Sequence, residues 1–307
     1  MSKIELQRRQ ALGLLGALLV GCDRKGVDAS KDEVEDALER KLSPTGAVPD
    51  VVRVGITPSL GQGTSDKLAP LYAYLAKRLG RPVEGHTAKS YDDLAVMVRD
   101  QKVELAVFSP AAYVAARETM EAVAIATATR DGSPTYLGYL FVKTTGDHRP
   151  LLEELEGKSV AWVSKQSTSG YLYPRVMLRE KNIAPDDFFS KQTFAKNHDE
   201  VIRLVAEGEV DVGAAASPFV NLETYQTRDG AADLTVVAKT DRIPFDCLVV
   251  HERLQLDLAK QLRTALYAMI DDRQTSETLE KSWGLSGFVK PMHALYDDVA
   301  KHVGIAG

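Results

Sequence analysis

The chain has 307 residues, 44% of them hydrophobic and 26% charged, with a formal net charge of −5. That composition suits one or two ordinary globular domains. The negative balance argues against a nucleic-acid-binding surface, and it means that any bound anion must be attracted locally, against the overall field.

The first residues are not read as part of the fold. Residues 1–10 carry Lys3, Arg8 and Arg9, and the apolar run 11–20 ends at Gly21-Cys22. A basic start, an apolar stretch too short to span a membrane and small residues at its end are the parts of a secretory signal. Leu19-Val20-Gly21-Cys22 resembles a bacterial lipobox, which implies that Cys22 is lipidated and becomes the mature N-terminus. The expectation is a signal over 1–22, a flexible polar tether over 23–50 with a short helix near 31–41, and a domain held at the membrane by lipid. The second cysteine, Cys247, then has no disulfide partner.

From residue 51 apolar strands alternate with amphipathic helices. Strands are predicted at 51–56, 82–86, 103–108, 122–128 and 136–142, with helices at 67–79, 91–100 and from Pro110. A second set begins near 151, with strands at 159–163, 192–195 and 210–214 and helices through 179 and at 199–206. Strands at 234–238 and 248–250 follow, then helices at 255–270, 275–283 and 293–302. This alternation predicts an α/β fold with mainly parallel sheets. Residues 91–110 (YDDLAVMVRDQKVELAVFSP) and 198–218 (HDEVIRLVAEGEVDVGAAASP) form a weak internal repeat. Each copy runs from an aromatic or imidazole ring through two acids, a helix and a strand to Ser-Pro. Two similar lobes would face each other across a cleft at their strand ends, where open α/β sheets bind ligands.

One strand-to-helix turn stands out, Ser167-Thr168-Ser169-Gly170, with Pro174 in the first turn of the helix. Helix-start N–H groups lack intrahelical partners and attract anions. Three hydroxyls add neutral donors, and Gly170 permits close backbone approach. A single Ser or Thr would suffice as a cap.

The motifs 108–113 (FSPAAY), 131–136 (DGSPTY), 167–174 (STSGYLYP), 197–200 (NHDE) with 210–213 (VDVG), and 243–246 (IPFD) occur here in order. Together they resemble the periplasmic substrate-binding proteins of phosphate, phosphite and phosphonate ABC transporters, over about 52–284. The resemblance implies a type II periplasmic binding protein fold: two α/β lobes, a cleft between them and a two-strand hinge. Lobe one would take 51–145 and 241–307, and lobe two 146–240. It also implies that Ser167, Thr168, Ser169, Tyr136, His198 and Asp246 meet the anion, with Ser109 and Tyr91 as secondary candidates. Each has an ordinary structural role open to it as well: strand residue for Tyr136, helix cap for His198 and Ser109, turn residue for Asp246.

An ionised Asp246 only accepts hydrogen bonds, so it favours ligands that keep a P–OH and disfavours sulfate. Aminophosphonate-binding members of the family carry an acid just after the V-D-V strand. Here that segment is Ala214-Ala215-Ala216-Ser217-Pro218-Phe219, and an ammonium buried there would lack a partner. A small ligand is expected, and weak binding of 2-aminoethylphosphonate. The six histidines (His86, His148, His198, His251, His293, His302) have no metal-ligand spacing, and no nucleophile elbow or dinucleotide fingerprint occurs. No metal, cofactor or enzymatic activity is expected. The partners implied are an ABC permease and the membrane, for a monomeric extracytoplasmic protein. The alternatives are a binding protein that signals to a membrane kinase and, on the same scaffold, a phosphorus-ester hydrolase.

Overall fold

The computed structural model describes residues 38–57, 64–220 and 234–306. The signal over 1–22, with Cys22, and the first part of the expected tether, 23–37, lie outside the described residues.

Among the described residues, eleven strands build two sheets. In chain order they are β1 (Val52–Ile56), β2 (Val83–Thr87), β3 (Leu105–Phe108), β4 (Ala122–Thr129), β5 (Thr135–Lys143), β6 (Ser159–Trp162), β7 (Lys191–Phe194), β8 (Val212–Ala216), β9 (Leu234–Pro244), β10 (Cys247–His251) and β11 (Gly287–Val289). The longer helices are α1 (Ala69–Leu79), α2 (Tyr91–Arg99), α3 (Pro110–Ala116), α4 (Tyr173–Glu180), α5 (His198–Ala206), α6 (Leu256–Tyr267), α7 (Arg273–Trp283) and α8 (His293–Ala306).

The first sheet has the order β11-β4-β10-β3-β1-β2 and the second β7-β6-β8-β5-β9. β1, β2 and β3 are parallel, while β10 runs antiparallel to β3 and β4. In the second sheet β6 is parallel to β7 and β8, and β5 is antiparallel to β8 and β9. Both sheets are thus mixed rather than mainly parallel. The antiparallel strands are β5 and β10, each next to a crossing between the sheets, and β11, which pairs with β4. β4 is buried along its whole length, as its run of small and apolar residues requires of a strand covered on both faces.

The chain leaves the first sheet through a four-residue turn. Arg130 and Ser133 exchange backbone hydrogen bonds of 2.9 and 2.8 Å. Asp131 (φ 48°) and Gly132 (φ 70°) between them take the left-handed conformations of a type I′ turn. The chain returns at Phe245-Asp246, beside the outgoing crossing: Thr135 pairs with Pro244, and Phe245 N–H donates to the Pro134 carbonyl at 2.9 Å. Sheet membership therefore places the exchanges at 130–134 and 245–246, against the expected 145/146 and 240/241. The reason is that β5 and β9 run as one long antiparallel pair in the second sheet.

Residues 38–50, expected in the tether, are packed instead. Leu38 and Leu42 are buried in the core of the first sheet's side. Ala47 bridges to Leu254, and Lys41 and Glu39 pair with Glu252 and Lys260 at 2.8 and 2.6 Å. Two leucines four apart supply the apolar stripe that holds this segment down. Helix α8 packs on α3 and on α4 through Ala111, Tyr173, Val176 and Val299, so it touches both sides of the molecule. No described helix is long and apolar enough to cross a membrane.

Candidate functional site

A cavity of about 40 Å³ lies between the two sheets. All eight residues singled out from the sequence line it: Tyr91, Ser109, Tyr136, Ser167, Thr168, Ser169, His198 and Asp246. Arg130, Ala216, Pro218, Phe219 and Phe245 complete the wall. A larger groove of about 430 Å³ opens beside it between α2, α3 and Lys165-Gln166. It shares Tyr91 but has five alanines among its fourteen lining residues and lacks the 167–169 hydroxyls, so the small cavity is the candidate site.

Local structure explains each placement. Ser167 caps a π-helical turn, Thr168–Leu172, by accepting from Gly170 N–H at 3.1 Å, and α4 continues from it with Pro174 in its first turn. The sequence led to an ordinary α-helix start. The π-turn instead turns three consecutive buried hydroxyl residues towards the cavity, a distortion often found at binding sites. β5 makes room for it, because a Cβ on Gly138 would lie 2.8 Å from the Ser169 carbonyl oxygen. The Thr168 hydroxyl accepts from Ala111 N–H of α3 at 2.9 Å, and Gln166 Nε2 donates to Asp92 at 3.2 Å. Both bonds join the side built on one sheet to the side built on the other.

His198 is the first residue of α5, after the Asn197 cap. Its Nδ1 accepts from Ala216 N–H at 3.2 Å, which leaves the proton on Nε2 as a donor. The ring stacks on Phe219 with centroids 4.6 Å apart. Burial, with Arg130 nearby, lowers its pKa to about 3, so it is a neutral donor near pH 7. Tyr136 stacks on Phe245 at 4.6 Å, its hydroxyl meets Ser169, and burial holds the phenol protonated. Tyr91 opens α2 after the Ser90 cap. Ser109 Oγ is buried with no hydrogen-bond partner among the described residues. Burial raises the Asp246 pKa to about 6, opposed by Arg130.

Sequence reading missed Arg130, Phe219 and Phe245. Arg130 had a signal, as a cation ending an eight-residue apolar strand and opening an Asp-Gly turn. The two phenylalanines adjoin Pro218 and Asp246 but look like core residues until the rings they stack on are known. Pro218 lines the cavity, and Asp246 is the acid among the lining residues. No group of three or more metal-ligating side chains occurs among the described residues.

A family model described as "ABC transporter, phosphonate, periplasmic substrate-binding protein" matches residues 54–296. The phosphate-import protein PhnD of Mycolicibacterium smegmatis is 27% identical over 279 residues, covering 83% of this chain and 85% of that protein. The solved structure of PhnD1 from Prochlorococcus marinus in complex with methylphosphonate has a TM-score of 0.74 at 20% identity, covering 84% of this chain and 98% of that one. A binding protein component of an ABC phosphonate transporter from Pseudomonas aeruginosa gives 0.71 at 20% identity, covering 84% and 89%. These structures share the two-lobed type II periplasmic binding protein fold with this chain. With the match over 54–296, the chain belongs to the periplasmic substrate-binding proteins of phosphonate ABC transporters, a family that binds its ligands rather than transforming them.

Proposed function

We propose that the protein captures a small phosphorus oxyanion (phosphite, phosphate or a small phosphonate) in this cavity by lobe closure and delivers it to an ABC permease. The observation that carries the reading is the convergence on one small cavity of the 167–169 hydroxyls, the Tyr136 phenol, the His198 imidazole and the Asp246 carboxylate. A volume of about 40 Å³ has room for roughly three waters, the size of a tetrahedral anion. Hydroxyls and a neutral imidazole suit oxyanion oxygens, and Asp246 suits a P–OH.

Closure is a rotation about the paired crossings at 130–134 and 245–246. An anion docks first on the 167–169 turn. The Ala111–Thr168 and Gln166–Asp92 bonds then form across the cleft. We further infer that Cys22 is lipidated and anchors the protein on the outer face of the cytoplasmic membrane, where the permease lies. Residues 38–50 belong to the folded domain.

A thermal-shift panel on the mature protein tests the reading with phosphite, phosphate, methylphosphonate, 2-aminoethylphosphonate and sulfate. A ligand at one hundred times its Kd adds about 2.7 kcal/mol of stability. The first three should stabilise and sulfate should not; no response to any phosphorus compound would sink the ligand class. Tight 2-aminoethylphosphonate binding would refute the inference from Pro218. Mass spectrometry of the mature N-terminus decides lipidation.

A further inference from the structure

Among the described residues, the cavity wall holds two charged side chains, Arg130 and Asp246, of opposite sign. The Arg130 guanidinium lies over the Phe245 ring, 5.7 Å from its centroid. A Cβ on Gly284 would come within 2.8 Å of Arg130 Nη1. Gly284 is the left-handed cap of α7 (φ 68°). The guanidinium is thus wedged between an aromatic face and the C-terminal end of a helix, both of which favour a cation. Its charge acts on both Asp246 and His198.

The other titratable groups facing Asp246 are buried and neutral: Tyr136, Tyr296 and Cys247. The cavity therefore offers one positive and one acceptor-only negative charge, with neutral donors around them. Resting on the phosphorus-oxyanion reading above, we propose that Arg130 and Asp246 together select a tetrahedral anion that is doubly charged yet still carries one P–OH. The preferred ligand is then hydrogen phosphate, ahead of phosphite and methylphosphonate. The P–OH donates to Asp246, and Arg130 offsets the charge that would otherwise face a buried carboxylate. Phosphate keeps a P–OH after its second ionisation. Phosphite and methylphosphonate lose theirs, so their dianions bind only by taking one proton from solvent, shared between ligand and Asp246.

Calorimetric titration at about pH 8.5 in two buffers of different ionisation enthalpy counts that proton. Phosphate should bind with no net proton uptake. Phosphite and methylphosphonate should each take up about one, and weaken roughly tenfold per pH unit above their second ionisation. Asp246→Asn should abolish the uptake and admit sulfate. Arg130→Gln should weaken phosphate at least tenfold, and Arg130→Lys should restore part of the loss, the charge being kept without the fork. The wild-type proton count decides the matter even where a variant fails to fold. Equal proton counts for all three ligands would overturn the proposal, as would wild-type phosphate affinity in a folded Arg130→Gln. Failure of every phosphorus oxyanion to bind would instead overturn the ligand class, and this proposal with it.

Discussion

The segments 90–110 and 197–218 are two versions of one device. Each begins with a polar cap: Ser90 accepts from Asp93 N–H at 3.0 Å, and Asn197 from Glu200 N–H at 2.8 Å. Each places a ring at the first helical residue, Tyr91 or His198, and each ends its strand in Ser-Pro. Both rings reach the same cavity from opposite sides. The copies differ in what the serine does. Ser217 accepts from Leu137 N–H at 3.2 Å and so holds β5 to the end of β8. Ser109 Oγ is buried without a partner among the described residues. The His198 ring is bonded to the backbone of its own copy through Ala216. One copy is a finished structural joint, and the other leaves its serine hydroxyl without a partner among the described residues.

The largest expected effect separates the two titrating groups of the cavity. His198 has a pKa near 3 when folded against a reference of 6.5, so its contribution to stability is full above pH 6.5 and falls as pH drops towards 3. Asp246 is raised to about 6 from 3.8, so the folded state gains stability as pH falls from 6 to 3.8. Between about pH 6 and 4 the two oppose each other, and these groups should leave the ligand-free protein's stability almost flat. Asp246→Asn should expose the histidine: about 3 kcal/mol should be lost between roughly pH 6.5 and 4 in denaturant titrations, more than in wild type. A pH profile unchanged by Asp246→Asn would contradict the opposition.

Replacing the rings comes next. His198→Phe removes the donor proposed for the ligand and leaves the buried Ala216 N–H unpaired, so phosphate binding should weaken by about 2–3 kcal/mol, with some loss of stability. Tyr91→Phe removes only the phenol and should cost about 1 kcal/mol of binding. Equal effects in calorimetry would erase the asymmetry between the copies. For the serines, Ser217→Ala should lower the melting temperature through an unsatisfied N–H worth about 1–3 kcal/mol, whereas Ser109→Ala should leave it unchanged and cost about 1 kcal/mol of binding. The reverse pattern would mean the roles are exchanged. The smallest effects belong to the shared caps. Ser90→Ala and Asn197→Ala should each cost about 1 kcal/mol, by similar amounts, in chemical denaturation.

Much of this arrangement was legible in the sequence because it is local. The β1, α1 and β4 boundaries follow from apolar runs ended by glycine or polar residues. The hydroxyl turn, the Asn197-His198 helix start and the repeat were visible as short patterns, and all eight chosen residues line one cavity. What could not be read depends on contacts distant in sequence. The π-turn at Thr168–Leu172 exists beside Gly138 of another strand. Arg130 is held by Phe245 and Gly284, more than a hundred residues away. β11 is three residues long, and β9 extends to Pro244 because β5 pairs with it, which moves the crossings from their expected positions. Residues 38–50 look like a tether by composition, yet Leu38 and Leu42 find a core that only the folded sheet supplies.

The most direct test of the site is a crystal structure of the protein grown with phosphate. A tetrahedral anion should lie within hydrogen-bond reach of Ser167, Thr168, Ser169, Tyr136 and His198 Nε2, with one oxygen against Asp246 and Arg130 close by. An anion bound outside this cavity, or one that leaves the 167–169 hydroxyls untouched, would contradict the account.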